Sequence, residues 1–349
     1  MTTAGTSAKN EQACDGILYS DPAEPGITRR KMRNGWAYYQ PDGERITDRD
    51  EIDRLNHIGM PPAYSDCWFC PDPAGHLQAV GYDARGRRQY RYHPLFRSAQ
   101  EMNKYDRCAA FGRALPKLRA KVERDLARSS PTKDTVIAAI VRLLDLGKVR
   151  IGNDSYRRQN KSFGATTLLN RHARASRSRV TLNYRGKSGK MQRLTIADRR
   201  LARIVKRCHD LPGQTLFQFV DEEGKQHPVT SSDVNAYIKE ATGEQFTAKH
   251  FRTWGASVIA FGAIVAAGKQ GLSLKQMVEP VAQALGNTPA IARKSYIHPA
   301  IIEYVRAGNR GGAISLPRTT QYLTRQERGL IAFLEAIDTA APAKEGAHG

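Results

Sequence analysis

Four residues of this sequence carry side chains that together suit the breaking of a phosphodiester: Arg150, Lys187, Arg252 and Tyr296, in that order along 349 residues. Tyrosine can serve as a covalent nucleophile. With a pKa near 10, its ionisation at pH 7 costs about 4 kcal/mol, so surroundings rich in cations help it attack. Two guanidiniums can fork onto the non-bridging oxygens in the planar geometry that arginine alone offers, offsetting the charge that builds as phosphorus is attacked. A lysine on a flexible turn can hand a proton to the departing 5′ oxygen. Taken singly, each has an ordinary reading: Tyr296 a core phenol, Arg150 a charge at a helix end, Lys187 a turn lysine. The ordered set in its local contexts is what points to chemistry.

The charge balance points to the substrate. Lys plus Arg number 55 against 34 Asp plus Glu, a net charge of +21, well past what solubility requires and suited to a polyanion. The excess is concentrated. From Ser155 to Ala197 there is no acidic residue, while Arg157, Arg158, Lys161, Arg171, Arg174, Arg177, Arg179, Arg185, Lys187, Lys190 and Arg193 all carry positive charge. Solvated faces mix signs; a stripe of one sign is the footprint of nucleic-acid binding.

These residues need elements to position them. Residues 1–20 read as a flexible tail. Residues 21–95, rich in Gly, Pro, Tyr and Trp, read as a small β-rich domain, with strands near Trp36–Tyr39 and Leu77–Tyr82 and turns at Pro41-Asp42-Gly43 and Asp72-Pro73-Ala74-Gly75. Residues 96–315 read as a larger, mainly helical domain and 316–349 as a C-terminal helix and tail. Helical spacing runs from Met102 to Leu126. Ser130-Pro131 then opens a helix whose apolar face is Val136, Ile137, Ile140, Val141 and Leu144, and Gly147 closes it. Val180, Leu182 and Tyr184 alternate with polar residues before Gly186-Lys187-Ser188-Gly189, and the alternation resumes at Leu194 and Ile196: a β-hairpin with Lys187 at its tip. After Ile196 the chain reads as helix and loop. The fold class is α+β.

Other features set limits. The uncharged run Thr253–Gly268 is shorter than the ~20 residues of a membrane span and reads as a buried helix. The amino terminus lacks the apolar stretch of a signal peptide, so a cytoplasmic location is expected. Five cysteines make an odd set, and Cys67-Trp68-Phe69-Cys70 has no second pair at zinc-site distance; half-buried strand residues are the better reading. Gly186-Lys187-Ser188 matches the end of a phosphate-binding loop, but Thr181 stands at the leading glycine's position and no nucleotide site is expected. Acidic residues are scarce near the four candidates, so a two-metal site is hard to assemble and no metal or other cofactor is expected.

Five segments in order, G-K-V-R-I-G-N-D-S-Y, N-K-S-F-G-A-T-T-L-L, Y-R-G-K-S-G-K, T-A-K-H-F-R-T-W-G-A-S and L-G-N-T-P-A-I-A-R-K-S-Y, resemble those of the type IB DNA topoisomerases, in particular their short, poxvirus-like bacterial form. The resemblance covers residues from about 25 to 310. It implies a β-rich amino domain and a helical catalytic domain, of the fold shared with tyrosine recombinases, that close around duplex DNA. It implies a tyrosine that forms a 3′-phosphotyrosyl bond, rotation of the cut strand, and resealing by the 5′-hydroxyl without ATP or metal. Carried over, the two arginines are Arg150 and Arg252, the hairpin lysine is Lys187 and the nucleophile is Tyr296. Asn287 departs from the pattern, standing where poxviral and eukaryotic members have histidine. An amide can donate to a phosphate oxygen but cannot titrate, so Asn287 is expected to act as a neutral oxyanion donor. Gly81–Pro94 resembles the family's DNA-facing segment, making Arg87, Arg88, Gln89, Tyr90 and Tyr92 candidate DNA contacts. Tyr156, Arg157, Arg158 and Lys249 are further candidates. The implied partner is supercoiled duplex DNA in the bacterial nucleoid, engaged by a monomer. Two rivals stand beside this reading. A tyrosine recombinase usually has His-x-x-Arg at the second arginine, where this chain has Lys249-His250-Phe251-Arg252. A non-catalytic architectural protein would use the basic stripe alone and never attach covalently to DNA.

Overall fold

The computed structural model describes residues 12–14, 16–128, 130–308 and 314–340. The expected tails at 1–11 and 341–349 lie outside the described residues. The chain divides into two compact units, Met1–Lys104 and Tyr105–Gly349.

In the first unit, β1 (Gln12–Cys14) pairs with β2 (Ile17–Leu18), and Ile17 is buried, so ordered structure begins inside the segment read as a tail. Among the described residues the unit centres on an antiparallel sheet of β3 (Ile27–Met32), β4 (Gly35–Tyr39), β5 (Ser65–Phe69), β6 (Leu77–Tyr82) and β7 (Arg88–Tyr92), in the order β4-β3-β5-β6-β7. Helix α1 (Arg49–His57), capped by the Asp48 carboxylate on the Asp50 N–H, seats Leu55 on Ile27, Tyr38, Cys67, Phe69 and Ala79. Cys67 and Cys70 are free thiols, but the expected pair of half-buried strand residues is met only in part: Cys67 lies in β5 and Cys70 just past its end, and both are buried rather than half-buried. The alternation in β7 leaves this edge strand largely exposed.

Helix α2 (Pro94–Asp106) leads into the second unit, and the helical stretch expected to run unbroken is interrupted at Arg107, where α3 (Cys108–Ala127) begins. The next helix, α4 (Lys133–Gly147), starts later than the Ser130-Pro131 signal suggests. Its cap is Thr132, whose hydroxyl accepts the Thr135 N–H, because a proline two positions before the first helical residue leaves the cap to the next hydroxyl. The expected apolar face of Val136, Ile137, Ile140, Val141 and Leu144 is buried. The helix ends in Lys148, a non-glycine residue at φ 51°.

Short helix α5 (Asp154–Asn160) precedes a three-stranded sheet of β8 (Ala173–Ala175), β9 (Arg179–Arg185) and β10 (Met191–Ala197). Strands β9 and β10 form the expected hairpin, pairing from Arg179↔Ala197 to Arg185↔Met191. The amphipathic α6 (Arg199–His209) buries Leu201, Ile204, Val205 and Cys208. Past Ile196 the chain is not all helix and loop: β11 (Gln218–Val220) and β12 (Gln226–Pro228) form a hairpin. Three-residue strands around an Asp-Glu-Glu-Gly turn are too short for alternation to register in the sequence.

Then come α7 (Ser231–Thr242), α8 (Ala248–Ala267), α9 (Leu274–Leu285), α10 (Pro289–Ser295), α11 (Pro299–Arg306) and α12 (Arg325–Ala340). Helix α8 is longer than its uncharged run, and by length and composition it could cross a bilayer. It is instead the core of this unit, with Phe251, Trp254, Ala256, Ala260, Phe261 and Ile264 buried, each large apolar side chain contributing about 1.5–3 kcal/mol. Packing on α3, α4, α9, α11 and α12 makes it the element on which the candidate residues are assembled.

Candidate functional site

Arg252 lies in the second turn of α8 and is 5% exposed. A buried guanidinium needs acceptors, and it finds them at the carbonyl ends of two helices: it donates to Lys148 O at the end of α4 and, at 3.1 Å, to Leu285 O at the end of α9. Helix C-termini carry partial negative charge, so the backbone holds this cation without a carboxylate that would compete with a phosphate. Lys148 contributes its carbonyl and packs its stem against Gly255, where an added Cβ would sit 2.9 Å from its Cε.

Arg150 follows α4 in an extended segment. The Arg150 carbonyl accepts the Ala165 N–H at 2.8 Å, and Gly164 passes so close that a Cβ there would lie 2.5 Å from Gly152 N and 2.6 Å from Arg150 O. The glycines of R-I-G-N and S-F-G-A thus permit two backbones to cross and fix Arg150. Its Nη2 donates to Asn287 Oδ1 at 2.8 Å. Because guanidinium only donates, the amide orientation follows, and Asn287 Nδ2 is left buried without a protein acceptor.

Tyr296 caps the C-terminus of α10. Its segment is clamped on both sides: the Tyr105 hydroxyl donates to Lys294 O at 3.2 Å, His298 N–H donates to Ser257 Oγ of α8 at 3.1 Å, and Ile297 is fully buried. The Arg252 guanidinium carbon stands 4.8 Å from the Tyr296 ring centroid. Burial raises the phenol's pKa, but the charges of Arg252 and Arg150 and their hydrogen bonds outweigh it, and the net displacement is below the usual tyrosine value. Arg252 is lowered in turn by burial and by Arg150, with Tyr296 opposing. Nearby Tyr184 behaves oppositely: burial dominates and pushes its phenol up to about 12 despite Arg252 and Arg150. Two phenols near the same cations therefore diverge, and Tyr296 is the one set up to ionise.

Lys187 is exposed in the turn between β9 and β10 and lines one cleft with Arg150, Arg252 and Tyr184. Gln192 of β10 sits across from Gly286, where an added Cβ would lie 2.4 Å from its Oε1. Sequence reasoning missed Tyr184, Lys148 and Gln192. Tyr184 looked like one more alternating strand residue, and the part Lys148 plays is made by its backbone.

The candidate DNA contacts differ in their surroundings. Arg88, Tyr90 and Tyr92 share one face of β7. Tyr90 and Tyr92, 44% and 40% exposed, stack at 6.1 Å, and Arg88 lies 5.4 Å from the Tyr90 centroid. Arg87 and Gln89 are both held by Asp83, at 2.6 Å and 3.2 Å. Arg157 and Arg158 both pair with Asp154, at 2.8 Å and 2.9 Å. Lys249 is exposed in the first turn of α8. The Tyr156 side chain lies outside the described residues. Among the described residues no three His, Cys, Asp or Glu side chains gather as a metal site.

Comparison with known proteins gives concordant matches. Residues 93–307 match the family model of the eukaryotic DNA topoisomerase I catalytic core, and residues 35–83 match that of the bacterial DNA topoisomerase IB N-terminal domain. A DNA topoisomerase 1B of Acanthamoeba polyphaga mimivirus is 34% identical over 286 residues, covering 78% of this chain and 85% of the relative. The DNA topoisomerase 1B of vaccinia virus is 22% identical over 316 residues and the DNA topoisomerase I of monkeypox virus 21% over 313, each alignment covering 82% of this chain and 96% of the relative.

Proposed function

This chain belongs to the type IB DNA topoisomerases, and on that premise we propose that it relaxes supercoiled duplex DNA through Tyr296, acting as a monomer without ATP or metal. The observation that carries the residue assignment is the convergence of Arg150 and Arg252 on the Tyr296 phenol, which holds its pKa below the ordinary value.

Cleavage begins when the Tyr296 oxygen attacks a backbone phosphorus. Arg150, Arg252 and the open Nδ2 donor of Asn287 receive the charge building on the non-bridging oxygens. The phosphorus–5′-oxygen bond breaks, a 3′-phosphotyrosyl ester forms, and Lys187 supplies the proton that the departing 5′ oxygen takes up. Because the ester keeps the energy of the broken bond, the cut strand can rotate about the intact one and its 5′-hydroxyl can return along the same path. Arg88, Tyr90 and Tyr92 present cationic and phenolic donors suited to a DNA groove and its phosphates. Arg87, Gln89, Arg157 and Arg158 would first exchange their carboxylate partners for DNA, and Tyr156 and Lys249 remain further candidate contacts. In this reading the catalytic unit has the fold of tyrosine recombinases and type IB topoisomerases, and the protein works in the bacterial nucleoid.

The test is relaxation of negatively supercoiled plasmid in EDTA without ATP, with Tyr296→Phe alongside. Relaxation by the parent and none by the variant is expected. Equal relaxation by both removes Tyr296 as the nucleophile.

A further inference from the structure

Two glycines of the cleft each precede a candidate residue: Gly186 stands before Lys187 and Gly286 before Asn287. One side chain lies against both. A Cβ added at Gly186 would fall 2.9 Å from Gln192 Cγ, and one at Gly286 would fall 2.4 Å from Gln192 Oε1 and 2.7 Å from its Nε2. These distances are well inside the roughly 3.5–4.0 Å at which non-bonded atoms pack. At Gly286 a left-handed φ of 62° favours glycine as well. At Gly186, with φ −88° and ψ −164°, the backbone suits any residue, and the contact with Gln192 is what excludes a side chain.

The two loops that Gln192 touches are held differently. The turn between α9 and α10 is anchored by both arginines: Leu285 O accepts from Arg252 at 3.1 Å and Asn287 Oδ1 from Arg150 at 2.8 Å, while the Asn287 N–H donates to Ala282 O at 3.0 Å. The hairpin tip is closed only on itself, by the Gly186 N–H to Lys190 O at 2.8 Å and the Gly189 N–H to Gly186 O at 3.1 Å, and Lys187 on it is exposed. Gln192 pairs with Tyr184 across β9 and β10. Directly opposed strand residues face the same side of a sheet, so Gln192 leaves the hairpin on the side where Tyr184 lines the cleft with Arg150 and Arg252. Among the described residues the Gln192 side-chain amide makes no hydrogen bond; it acts by its length and volume.

We propose that Gln192 is a positioning residue for the proton donor: its side chain is a strut that sets the Lys187 hairpin tip at a fixed distance from the turn carrying Asn287. The phosphate is gripped from the anchored side, by Arg150, Arg252 and Asn287, and the strut places the ammonium of the less anchored side against the departing 5′ oxygen. Lysine has a long flexible stem, and a reacting group displaced by about 1 Å can lose up to about 10²-fold in rate. The inference rests on the reading of Lys187 as the acid.

The test is single-turnover cleavage by the full chain of two duplexes, one ordinary and one whose 5′ bridging oxygen is replaced by sulfur, under conditions where urea denaturation shows every variant folded. Lys187→Ala checks the underlying reading: if it slows both substrates equally, Lys187 is not the acid, and the proposal falls with that reading. Given the expected split for Lys187→Ala, Gln192→Ala should slow the ordinary strand at least about tenfold and leave the sulfur substrate within about twofold of the parent. Gln192→Met, which keeps the length without the amide, should recover most of the ordinary rate. Gly186→Ala should slow the ordinary strand by pushing the strut aside, and Gly186→Ala/Gln192→Ala should be no slower than Gln192→Ala, because the two changes disturb one contact. A parental rate in Gln192→Ala, equal slowing of both substrates, a Met variant as slow as Ala, or additive losses in the double variant would each overturn the strut while leaving Lys187 as the acid.

Discussion

Asn287→Ala separates catalysis from stability more sharply than any other substitution in the cleft. In the free protein, Asn287 accepts from Arg150 at 2.8 Å while its buried Nδ2 has no protein acceptor. A buried donor left unsatisfied costs about 1–3 kcal/mol. The variant removes that burden and, in exchange, takes an acceptor from a guanidinium that solvent can still reach. The two effects oppose each other, so the change in unfolding free energy should stay within about 1 kcal/mol. At the transition state there is no such cancellation. In the proposed mechanism the donor meets a phosphate gaining negative charge, and a hydrogen bond to a charged group is worth about 1.5–3 kcal/mol, a loss of about 10- to 10²-fold in rate. Asn287→Asp should be slower still, because a carboxylate at that position would pair with Arg150 and repel the phosphate. The assay is single-turnover cleavage of a duplex oligonucleotide with a detergent quench, beside urea denaturation of the same preparations. Cleavage within twofold of the parent, or a loss of stability large enough to depopulate the folded enzyme, would refute the reasoning.

Other substitutions bear on the remaining parts of the site. Because the arginines hold the Tyr296 pKa below 10 while burial alone would raise it, single-turnover cleavage should increase with pH and level off below pH 10; in Arg150→Ala the residual rate should level off at higher pH, and an unshifted profile would remove Arg150 from the phenol's electrostatics. Lys187→Ala should slow cleavage of an ordinary strand strongly but scarcely affect one whose 5′ bridging oxygen is replaced by sulfur, a leaving group that needs no proton; equal slowing of both would remove Lys187 as the acid. Glu327→Gln breaks a buried network in which Glu327 accepts from Arg119 at 2.7 Å and from Trp254 at 3.3 Å, and should cost about 3 kcal/mol by urea denaturation, at the low end for a buried pair because Asp145 still holds Arg119 at 2.8 Å. Burial raises the Glu327 pKa, but its Arg119 hydrogen bond and charge prevail and lower it below the ordinary 4.5; its contribution is present above that value and lost as pH falls through the depressed one, so the two proteins should converge in acid.

Local periodicity made much of this architecture legible. The β9–β10 hairpin is announced by Val180, Leu182 and Tyr184 alternating with polar residues, and all three are buried as that pattern demands. The α4 face was equally plain, since five apolar residues at helical spacing have one way to be buried. Its start was misplaced because a proline and several hydroxyls compete as start signals, and backbone geometry chose Thr132. The β11–β12 hairpin escaped because its strands are three residues each. In the cleft, residue types and order nominated Arg150, Lys187, Arg252 and Tyr296, and the fold brings the two arginines to the Tyr296 phenol. What holds them was not legible: Arg252 is seated on two backbone carbonyls, Arg150 on a crossing of glycine segments, and neither support has a side-chain signature. The carboxylates that occupy Arg87, Gln89, Arg157 and Arg158 were likewise hidden, since Asp83 and Asp154 look like ordinary turn and helix-start residues until the chain is folded.

The central claim is that the Tyr296 oxygen becomes bonded to a backbone phosphorus. The most direct measurement is peptide mapping of the adduct left when the protein, incubated with end-labelled duplex in EDTA, is quenched with detergent and digested with protease. The label is predicted on the peptide containing Tyr296, attached to a DNA 3′ end, and absent from Tyr296→Phe. Label on any other residue, or on a 5′ end, would contradict the account.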